Sequence, residues 1–149
     1  MPLQLLLRRL SPRATPLKYH SPLAVGLDLA ACLPEDAPPL VLAPGDIAKV
    51  PTGWAIQLPH DHEGQVRPRS GLAAGFGVTV VNSPGTIDPD YRGEVIVPLV
   101  NLGRAPVTIT HAMRIAQLVI APIARPTLVE VDELGATERG EKGFGSTGR

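Results

Sequence analysis

Proline and glycine are spread along this chain, and they limit it to short elements of secondary structure. The sequence has 17 prolines and 15 glycines in 149 residues. Proline interrupts helices and central strands, whereas glycine allows tight turns. Between these breaks lie apolar runs rich in β-branched residues, such as Val95–Val100, and no segment keeps a helical period over three turns. We therefore expect an all-β protein, a sandwich or jelly roll of many short strands.

The apolar runs place the expected strands. Val78–Val81 and Val95–Val100 are joined through a turn at Asn82–Gly85, which predicts a hairpin. Residues 8 to 23 are expected to form a proline-rich loop after a first strand. The expected strands are Leu3–Leu7, Leu40–Leu42, Ile47–Val50, Trp54–Leu58, Val78–Val81, Val95–Val100, Val107–Thr110, Met113–Ile120 and Leu128–Val131.

Length, charge and cysteine content narrow the class of protein. One domain is expected at this length, which is enough to bury a sizeable core. The formal net charge is zero, so no general attraction to nucleic acid or to a membrane surface is expected. Cys32 is the single cysteine, which excludes an intrachain disulfide and a cysteine metal cluster. We interpret it as a small buried side chain in a reducing compartment and expect a cytoplasmic protein.

The first 27 residues lack acids and carry Arg8, Arg9, Arg13 and Lys18, a charge pattern typical of a transit peptide. Four prolines break any long amphipathic helix in this segment. A first strand followed by a loop is therefore the favoured interpretation.

The segment Asn82–Glu94 concentrates polar groups between two strongly apolar strands. It sets Asp88 and Asp90 beside Tyr91 and Arg92. Polar groups on a turn held by two strands are a common way for a rigid scaffold to present chemistry. A solvated surface hairpin is the alternative that this segment alone leaves open.

Two further polar segments are candidates for binding. Arg69, Ser70 and Gly71 follow the end of a strand and combine a guanidinium, a hydroxyl and backbone N–H groups, which are phosphate ligands. An ordinary turn beside a surface arginine is the alternative. The patch His60–Glu63 contains two histidines and two acids, but its spacing and its flanking proline and glycine do not fit a helical metal motif. We interpret it as a polar loop.

Three polar residues are set into apolar runs. Asp28 lies within Val25–Ala31, and on its own it is best explained by bonds to nearby backbone amides, with a role in a site as the alternative. Arg114 and Gln117 lie in the expected strand Met113–Ile120. They are three residues apart, so a regular strand would direct them to opposite faces, and at most one would face a shared site.

The tail Thr137–Arg149 sets glycines and polar residues around one aromatic side chain, Phe144, and has no core. By composition it is expected to be disordered when free. It lacks the G-K-[ST] sequence of a Walker loop. It is suited instead to a flexible arm, in which Arg139 and Lys142 close over an anion while Phe144 stacks on a flat ring.

Five segments in order along nearly the whole chain resemble the motifs of the trimeric deoxyuridine triphosphate nucleotidohydrolases (dUTPases). Each motif alone is weak, whereas five in this order at the family's spacing are highly specific. They are Gly26–Ala31, Pro68–Ala73, Asn82–Glu94, Arg114–Leu118 and Arg139–Gly148. Two positions depart from the family's common pattern: Leu27, which is often aromatic, and Ile96, where lysine or methionine is common.

The resemblance implies a distorted β-barrel or jelly roll that assembles as a homotrimer with three active sites at subunit interfaces. Residues 1–134 would form the β core, and residues 135–149 a flexible arm that closes a site built from two other subunits. The implied enzyme hydrolyses dUTP to dUMP and pyrophosphate. That reaction limits uracil incorporation into DNA and supplies dUMP for thymidylate synthesis.

The family match also implies catalytic and phosphate-binding roles. Asp88 would orient and deprotonate the attacking water, since an ordinary carboxylate is ionised at neutral pH. Mg²⁺ would be held mainly by the phosphates, with Asp28 contacting it through water, in place of the structural role favoured above. Arg114 would fix structure. The implied ligands of the inner phosphates are Arg69, Ser70 and Gly71. Gln117 would bind another phosphate oxygen, and the implied ligands of the γ-phosphate are Arg139, Gly145 and Ser146.

Selection of uracil would come from the third motif. Uracil offers a carbonyl, a ring N–H and a second carbonyl on one edge, whereas cytosine has the wrong donor pattern there. Tyr91 would pack on the sugar and exclude a ribose 2′-hydroxyl, Phe144 would stack over uracil, and Ile96 would contribute a backbone contact only. The groups implied to pair with the base are the side chain of Asn82 and the backbone of Gly85, Thr86 and Ile87.

The residues favour hydrolysis over three other functions that a jelly roll can have. A dCTP deaminase-like enzyme needs a glutamate that reaches the base, whereas this chain has Asp88 with Tyr91 three residues later, which favours hydrolysis. A module that senses dUTP without turnover would not need both Asp88 and the complete tail. A structural jelly-roll subunit would not need the tail. The expected protein is a dUTP diphosphatase.

Overall fold

The computed structural model describes residues 2–143 of the chain. Within that range there are ten strands and one short helix, and no helix is long and apolar enough to cross a membrane. The elements are β1 (Leu6–Arg9), β2 (Leu27–Ala30), β3 (Leu40–Leu42), β4 (Ile47–Gln57), β5 (His62–Pro68), α1 (Ser70–Phe76), β6 (Val78–Val80), β7 (Gly85–Ile87), β8 (Glu94–Asn101), β9 (Val107–Ile109) and β10 (Arg114–Pro122).

The strands form two four-stranded antiparallel sheets and a two-stranded ribbon. The first sheet has the order β1-β4-β8-β6, the second has the order β2-β10-β5-β7, and β3 pairs with β9. Strand β8 shows how the sheets pack: Val95, Val97 and Leu99 are buried, while Ile96 between them is exposed. Alternation of this kind places one face of each sheet on a shared core, which contains side chains from both sheets. The predicted all-β jelly-roll class is confirmed.

A smaller apolar cluster holds the segment after β1 against the first sheet. Ala14, Cys32 and Trp54 are buried together. The indole Nε1 of Trp54 donates to the carbonyl of Thr15 at 2.7 Å. Cys32 is buried, as its size and low polarity predict.

The predicted hairpin between Val78–Val81 and Val95–Val100 is only partly correct. Strands β6 and β8 pair antiparallel. The connection between them is not a turn, however, because Gly85–Ile87 forms β7 and pairs with β5 in the other sheet. The two outer residues of β7 are buried and its central residue is exposed, an alternation too short to detect in the sequence. The segment therefore crosses from one sheet to the other.

Two strand boundaries also differ from the predictions. Ile47–Val50 and Trp54–Leu58 belong to a single strand, β4, whose register with β8 shifts between Pro51 and Ala55. Gly53 lies within this shift with a φ of 73°, which glycine adopts readily. The first strand begins at Leu6 rather than at Leu3, so it takes in two arginines expected in the loop.

Leu128–Val131 does not form a strand, contrary to the prediction. Its residues are exposed and lie beyond β10, which ends at Pro122. A strand needs a neighbour whose N–H and C=O groups complete the ladder. Within residues 2–143 no strand pairs with this segment. Its composition favours a strand, but the single chain offers it no pairing partner.

The helix α1 is absent from the sequence-based predictions because seven residues are too few to show a helical period. It ends at Gly77, whose φ is 74° and whose N–H donates to the carbonyl of Ala73 at 3.0 Å. A Cβ atom on Gly77 would lie 2.5 Å from the backbone nitrogen of Gly103. The helix can therefore reach the turn after β8 only with glycine at this position.

We expect Gly77→Ala to lower the free energy of unfolding by about 3 kcal/mol, because alanine disfavours the left-handed conformation and its methyl group would meet backbone. Urea denaturation followed by circular dichroism measures this difference. Gly75→Ala is the matched control, since it adds a methyl group to α1 in open space and should be neutral or slightly stabilising. Equal effects of the two substitutions would contradict the packing described for Gly77.

Candidate active site

Seven of the predicted site residues surround a cavity of about 210 Å³, which we term the β7 cavity. It is formed by β7, by β8 and by the loop that connects them. The residues that line it are Val66, Asn82, Gly85, Thr86, Ile87, Asp88, Tyr91, Glu94, Val95, Ile96 and Pro98.

Strand β7 forms one wall of this cavity with its backbone. It pairs with β5 on one side and is the outermost strand of its sheet. An outermost strand leaves a row of backbone N–H and C=O groups unpaired, and these can bond the edge of a planar ring. The side chain of Asn82 lies close by, because a Cβ atom on Gly85 would be only 3.2 Å from its Nδ2 atom. Because residue 85 is a glycine, the side-chain amide of Asn82 can lie against the same wall of the cavity.

Tyr91 borders the cavity and is held in a defined position. Its hydroxyl donates to the carbonyl of Glu94 at 2.9 Å. The ring lies against Gly93, where any Cβ atom would overlap the tyrosine hydroxyl. The residue is 44% exposed, so it remains accessible to a ligand in the cavity.

Two residues to which the sequence analysis assigned no role support this loop. Arg92 donates through Nη1 to the carbonyls of two neighbouring residues at 2.7 and 2.9 Å, which closes the turn between Asp88 and Tyr91. Glu94 accepts the backbone N–H of Gly53 in β4 at 2.7 Å. These bonds fix the loop relative to the first sheet. In the sequence, only their charge and their position shortly after Tyr91 indicated that Arg92 and Glu94 support the site.

Asp88 lies at the exposed rim of the β7 cavity. Its backbone carbonyl accepts the N–H of Tyr91 at 3.1 Å. Its carboxylate makes no hydrogen bond to any residue in the part of the chain that the structure describes. A carboxylate that is open to water in this way can accept a proton from it.

A second group of predicted residues, which we term the Asp28 cluster, consists of Asp28, Arg69, Arg114 and Gln117. Asp28 Oδ1 lies 3.3 Å from Arg69 Nε, and its Oδ2 lies 3.0 Å from Arg114 Nη1. The prediction that backbone amides satisfy Asp28 is therefore wrong, since its partners are side chains, two of them guanidinium groups. Two guanidinium groups around one carboxylate leave a net positive charge, which suits phosphate.

Arg114 and Gln117 face the same side of the sheet, contrary to the prediction for a regular strand. The pairing of β10 with β2 shifts register between Arg114 and Ala116. The extra residue at such a bulge changes the alternation, so residues three apart come to share a face. Ile115 and Ala116 are accordingly both buried. Arg114 reaches Asp28, and Gln117 lies directly opposite Asp28 in the strand pairing.

Gln117 is confined on both sides of its amide. Its Nε2 donates to the carbonyl of Pro68 at 2.9 Å. Its Oε1 lies against Gly26, where any Cβ atom would overlap it. Gly26 is therefore needed for Gln117 to occupy this position, which links β10 to the residue before Arg69.

The start of α1 provides donors next to the Asp28 cluster. Ser70 and Gly71 form its first turn and are exposed. In the described part of the chain no side chain caps this helix, and the first N–H groups of a helix have no partner within it. A Cβ atom on Gly71 would meet nothing within 4 Å, so this side of the first turn is open.

The β7 cavity and the Asp28 cluster are separate regions of one chain, because no residue of the cluster lines the cavity. Arg139 lies further along the exposed C-terminal segment, where its Nε donates to the carbonyl of Lys142 at 2.8 Å. The predicted site residues Phe144, Gly145 and Ser146 lie outside the described residues. A single chain thus does not bring the described site residues into one cavity.

The described residues were also tested as metal ligands. Among residues 2–143 no three His, Cys, Asp or Glu side chains are grouped so that they could hold a metal ion. In the patch His60–Glu63, a hydrogen bond from His60 and its charge lower the pKa of the Asp61 carboxyl, and His62 already belongs to β5 rather than to the predicted loop. Mg²⁺ would therefore need oxygen ligands from elsewhere, such as those of a triphosphate.

Comparisons with known proteins agree on one family. The family model described as dUTPase matches residues 13–148. The chain is 53% identical over 152 residues to the deoxyuridine 5'-triphosphate nucleotidohydrolase of Anaeromyxobacter sp. (strain Fw109-5), and the alignment covers 100% of both proteins. It is 58% identical over 130 residues to the protein of the same name from Desulfotalea psychrophila, covering 87% of this chain and 85% of that protein.

Solved structures share the fold. The dUTPase of Staphylococcus bacteriophage 80alpha with dUpNHpp superposes with a TM-score of 0.87 at 28% identity, covering 98% of this chain and 99% of that chain. A substituted dUTPase from phage phi11 of S. aureus, whose structure reveals the coordination of a structural Mg(II) ion, has a TM-score of 0.78 at 24% identity. It covers 87% of this chain and 97% of its own, and at that identity the likeness shows the fold alone.

Proposed function

Because this chain belongs to the dUTPase family, we propose that it hydrolyses dUTP to dUMP and pyrophosphate with Asp88 as the base. The observation that carries the proposal is the β7 cavity, which sets an exposed carboxylate at the rim of a pocket walled by an outermost strand. A water oxygen attacks the α-phosphorus while Asp88 accepts the proton of the water. The bond from the α-phosphorus to the bridging oxygen breaks, and pyrophosphate leaves with the electron pair.

The β7 cavity would select the base. The unpaired backbone groups of β7 and the amide of Asn82 offer donors and acceptors along one edge of a ring. Uracil presents an acceptor, a donor and an acceptor there, whereas cytosine presents a different order and would leave groups in the pocket unpaired. Tyr91, fixed by its bond to Glu94, would pack on the sugar and exclude a ribose 2′-hydroxyl.

The Asp28 cluster and the start of α1 would bind the phosphates. Arg69, Ser70 and Gly71 combine a positive charge with open N–H groups, and Gln117 is held beside them. Mg²⁺ would be held mainly by oxygen atoms of the triphosphate, because no three acidic, histidine or cysteine side chains among the described residues are grouped to hold it. When bound, it would neutralise phosphate charge. Asp28 would contact it through water only, since both of its carboxylate oxygens already face cationic side chains.

We further propose that the chain acts as a homotrimer with shared sites. The β7 cavity and the Asp28 cluster are apart in one chain, so a second subunit would bring its cavity to the cluster of the first. Apolar side chains that are exposed in the single chain support self-association. Leu128 and Leu134 are 91% and 89% exposed, and Ile47 and Ile96 lie exposed on the outer face of the first sheet.

In such a trimer, residues 135–149 of the third subunit would serve as the arm over the site built on the 1–134 cores of the other two. Arg139, Gly145 and Ser146 would bind the γ-phosphate, and Phe144 would cover the uracil. The reaction would limit uracil incorporation into DNA and supply dUMP for thymidylate synthesis. We place it in the cytoplasm, a compartment with which the single buried Cys32 is compatible.

Pyrophosphate release from dUTP, dCTP, dTTP and UTP in the presence of Mg²⁺ tests the proposal. We expect kcat/KM for dUTP to exceed that for each of the others by about a hundredfold or more, since each carries a group that the cavity cannot pair or accommodate. Comparable turnover of dCTP, or ammonia release from it, would contradict the assignment. Binding of dUTP without any turnover would point instead to a sensing module.

A further inference from the structure

His20 contacts the Asp28 cluster, although no site residue was predicted in its segment. It lies in the loop between β1 and β2, and its Nε2 is 3.3 Å from Asp28 Oδ2. The side chain of His20 is 41% exposed and that of Asp28 is 17% exposed. The imidazole is therefore more exposed than the carboxylate that it contacts.

The contact completes the surroundings of a carboxylate that orients two arginines. Asp28 Oδ1 faces Arg69 Nε, and Oδ2 is shared by Arg114 Nη1 and by His20 Nε2. Arg69 also donates through Nη1 to the carbonyl of Arg114 at 3.3 Å. Two of its donor atoms are thus used to hold its position, which leaves Nη2 for a ligand. Rotation of Asp28 would remove the first of these two contacts.

The loop that carries His20 packs on the core as far as Leu17, and beyond that residue it is mostly exposed. Tyr19, Leu23 and Val25 are exposed, so their side chains do not pack this part of the chain onto the core. The backbone bond from Ala24 N–H to the carbonyl of Ser21 is local to the loop. The bond between His20 and Asp28 therefore ties the loop and the carboxylate to each other.

We propose that His20 is a positioning residue for triphosphate binding, acting through Asp28 on Arg69. An imidazole with its proton on Nε2 donates to Asp28 Oδ2 and keeps the carboxylate in the plane that both arginines require. A neutral donor is sufficient for this role. The inference rests on the proposed function only in taking the Asp28 cluster as the phosphate end of the site.

Steady-state kinetics on His20→Ala and His20→Gln test the inference. We expect His20→Ala to raise KM for dUTP about fivefold with kcat within about twofold, a modest effect because the contact is half exposed. His20→Gln should behave as the parent, because its amide nitrogen replaces the Nε2 donor. His60→Ala is the matched control, since His60 is an exposed histidine that pairs with Asp61 and lies outside the Asp28 cluster, and this substitution should leave KM and kcat unchanged.

Two readouts separate positioning from loss of structure and from failure of the proposed function. Competitive inhibition by deoxyuridine, which has no phosphate, should be the same in His20→Ala as in the parent. Calorimetric binding of inorganic tripolyphosphate should weaken about fivefold in His20→Ala whether or not the parent turns over dUTP. The inference is overturned if KM and tripolyphosphate binding are unchanged, if His20→Gln fails like His20→Ala, or if deoxyuridine inhibition weakens to the same extent.

Discussion

Asp88→Asn is expected to lower kcat for dUTP hydrolysis by about a thousandfold while the dissociation constant for dUTP stays within about threefold. The amide has the shape of the carboxylate but cannot accept a proton from water. Because the carboxylate of Asp88 is exposed and has no hydrogen-bond partner among the described residues, the substitution should leave the fold intact. Single-turnover hydrolysis and calorimetric titration with dUTP measure the two quantities separately.

Asp90→Asn is the control for this prediction. Asp90 lies on the same loop two residues later, beside Arg92 and Arg125 in a different surface depression, and it does not line the β7 cavity. The Asp90→Asn variant should therefore turn over dUTP at the parent rate. Near-normal turnover by Asp88→Asn, or an equal loss in Asp90→Asn, would remove Asp88 from the role of base.

A chain ending at Leu134 is expected to lose about a hundredfold in kcat/KM for dUTP, because it lacks the proposed contacts of the arm with the γ-phosphate and the base. The fold should be unaffected, since β10 ends at Pro122 and residues 135–142 are exposed. Pyrophosphate release measures the loss, and thermal unfolding checks that the core is unchanged.

Replacement of residues 135–149 by a glycine–serine segment of equal length separates the side chains of the arm from its bulk. This chain should be as slow as the shortened one. Full activity in either protein would show that the site closes without the arm.

Local chemistry explains which parts of the site could be predicted from the sequence. One cavity is lined by Asn82, Gly85 and Tyr91, which lie close together in the sequence. A short strand flanked by turn residues has few conformations, so the sequence of this segment largely determines where these side chains lie. In the same way, Arg69 followed by Ser70 and Gly71 provides a charge and open N–H groups wherever a new element begins. These features depend on neighbours in sequence.

Contacts between distant segments could not be predicted in this way. The bulge that brings Arg114 and Gln117 to one face depends on the register of β10 against β2, which neither strand specifies alone. His20 reaches Asp28 only because the loop after β1 folds back. The sequence gives one indication that His20 has a role: it is the single histidine in residues 1–27, which are basic and contain no acid. Leu128–Val131 has the composition of a strand, but no strand among residues 2–143 pairs with it, and the sequence of one segment does not specify pairing with another.

Mixed assemblies of two inactive variants test most directly the central claim that the active site is shared between subunits. Full-length Asp88→Asn would be co-expressed in equal amount with the chain ending at Leu134, and complexes that carry both tags would be purified. If each site takes its base and its arm from different subunits, a trimer that carries both tags has two chains of one kind and one of the other, so about one of its three sites has both intact. The account therefore predicts recovery of about a third of the normal kcat from two proteins that are each nearly inactive. A mixture that stays inactive, although both chains are present in one complex, would contradict it.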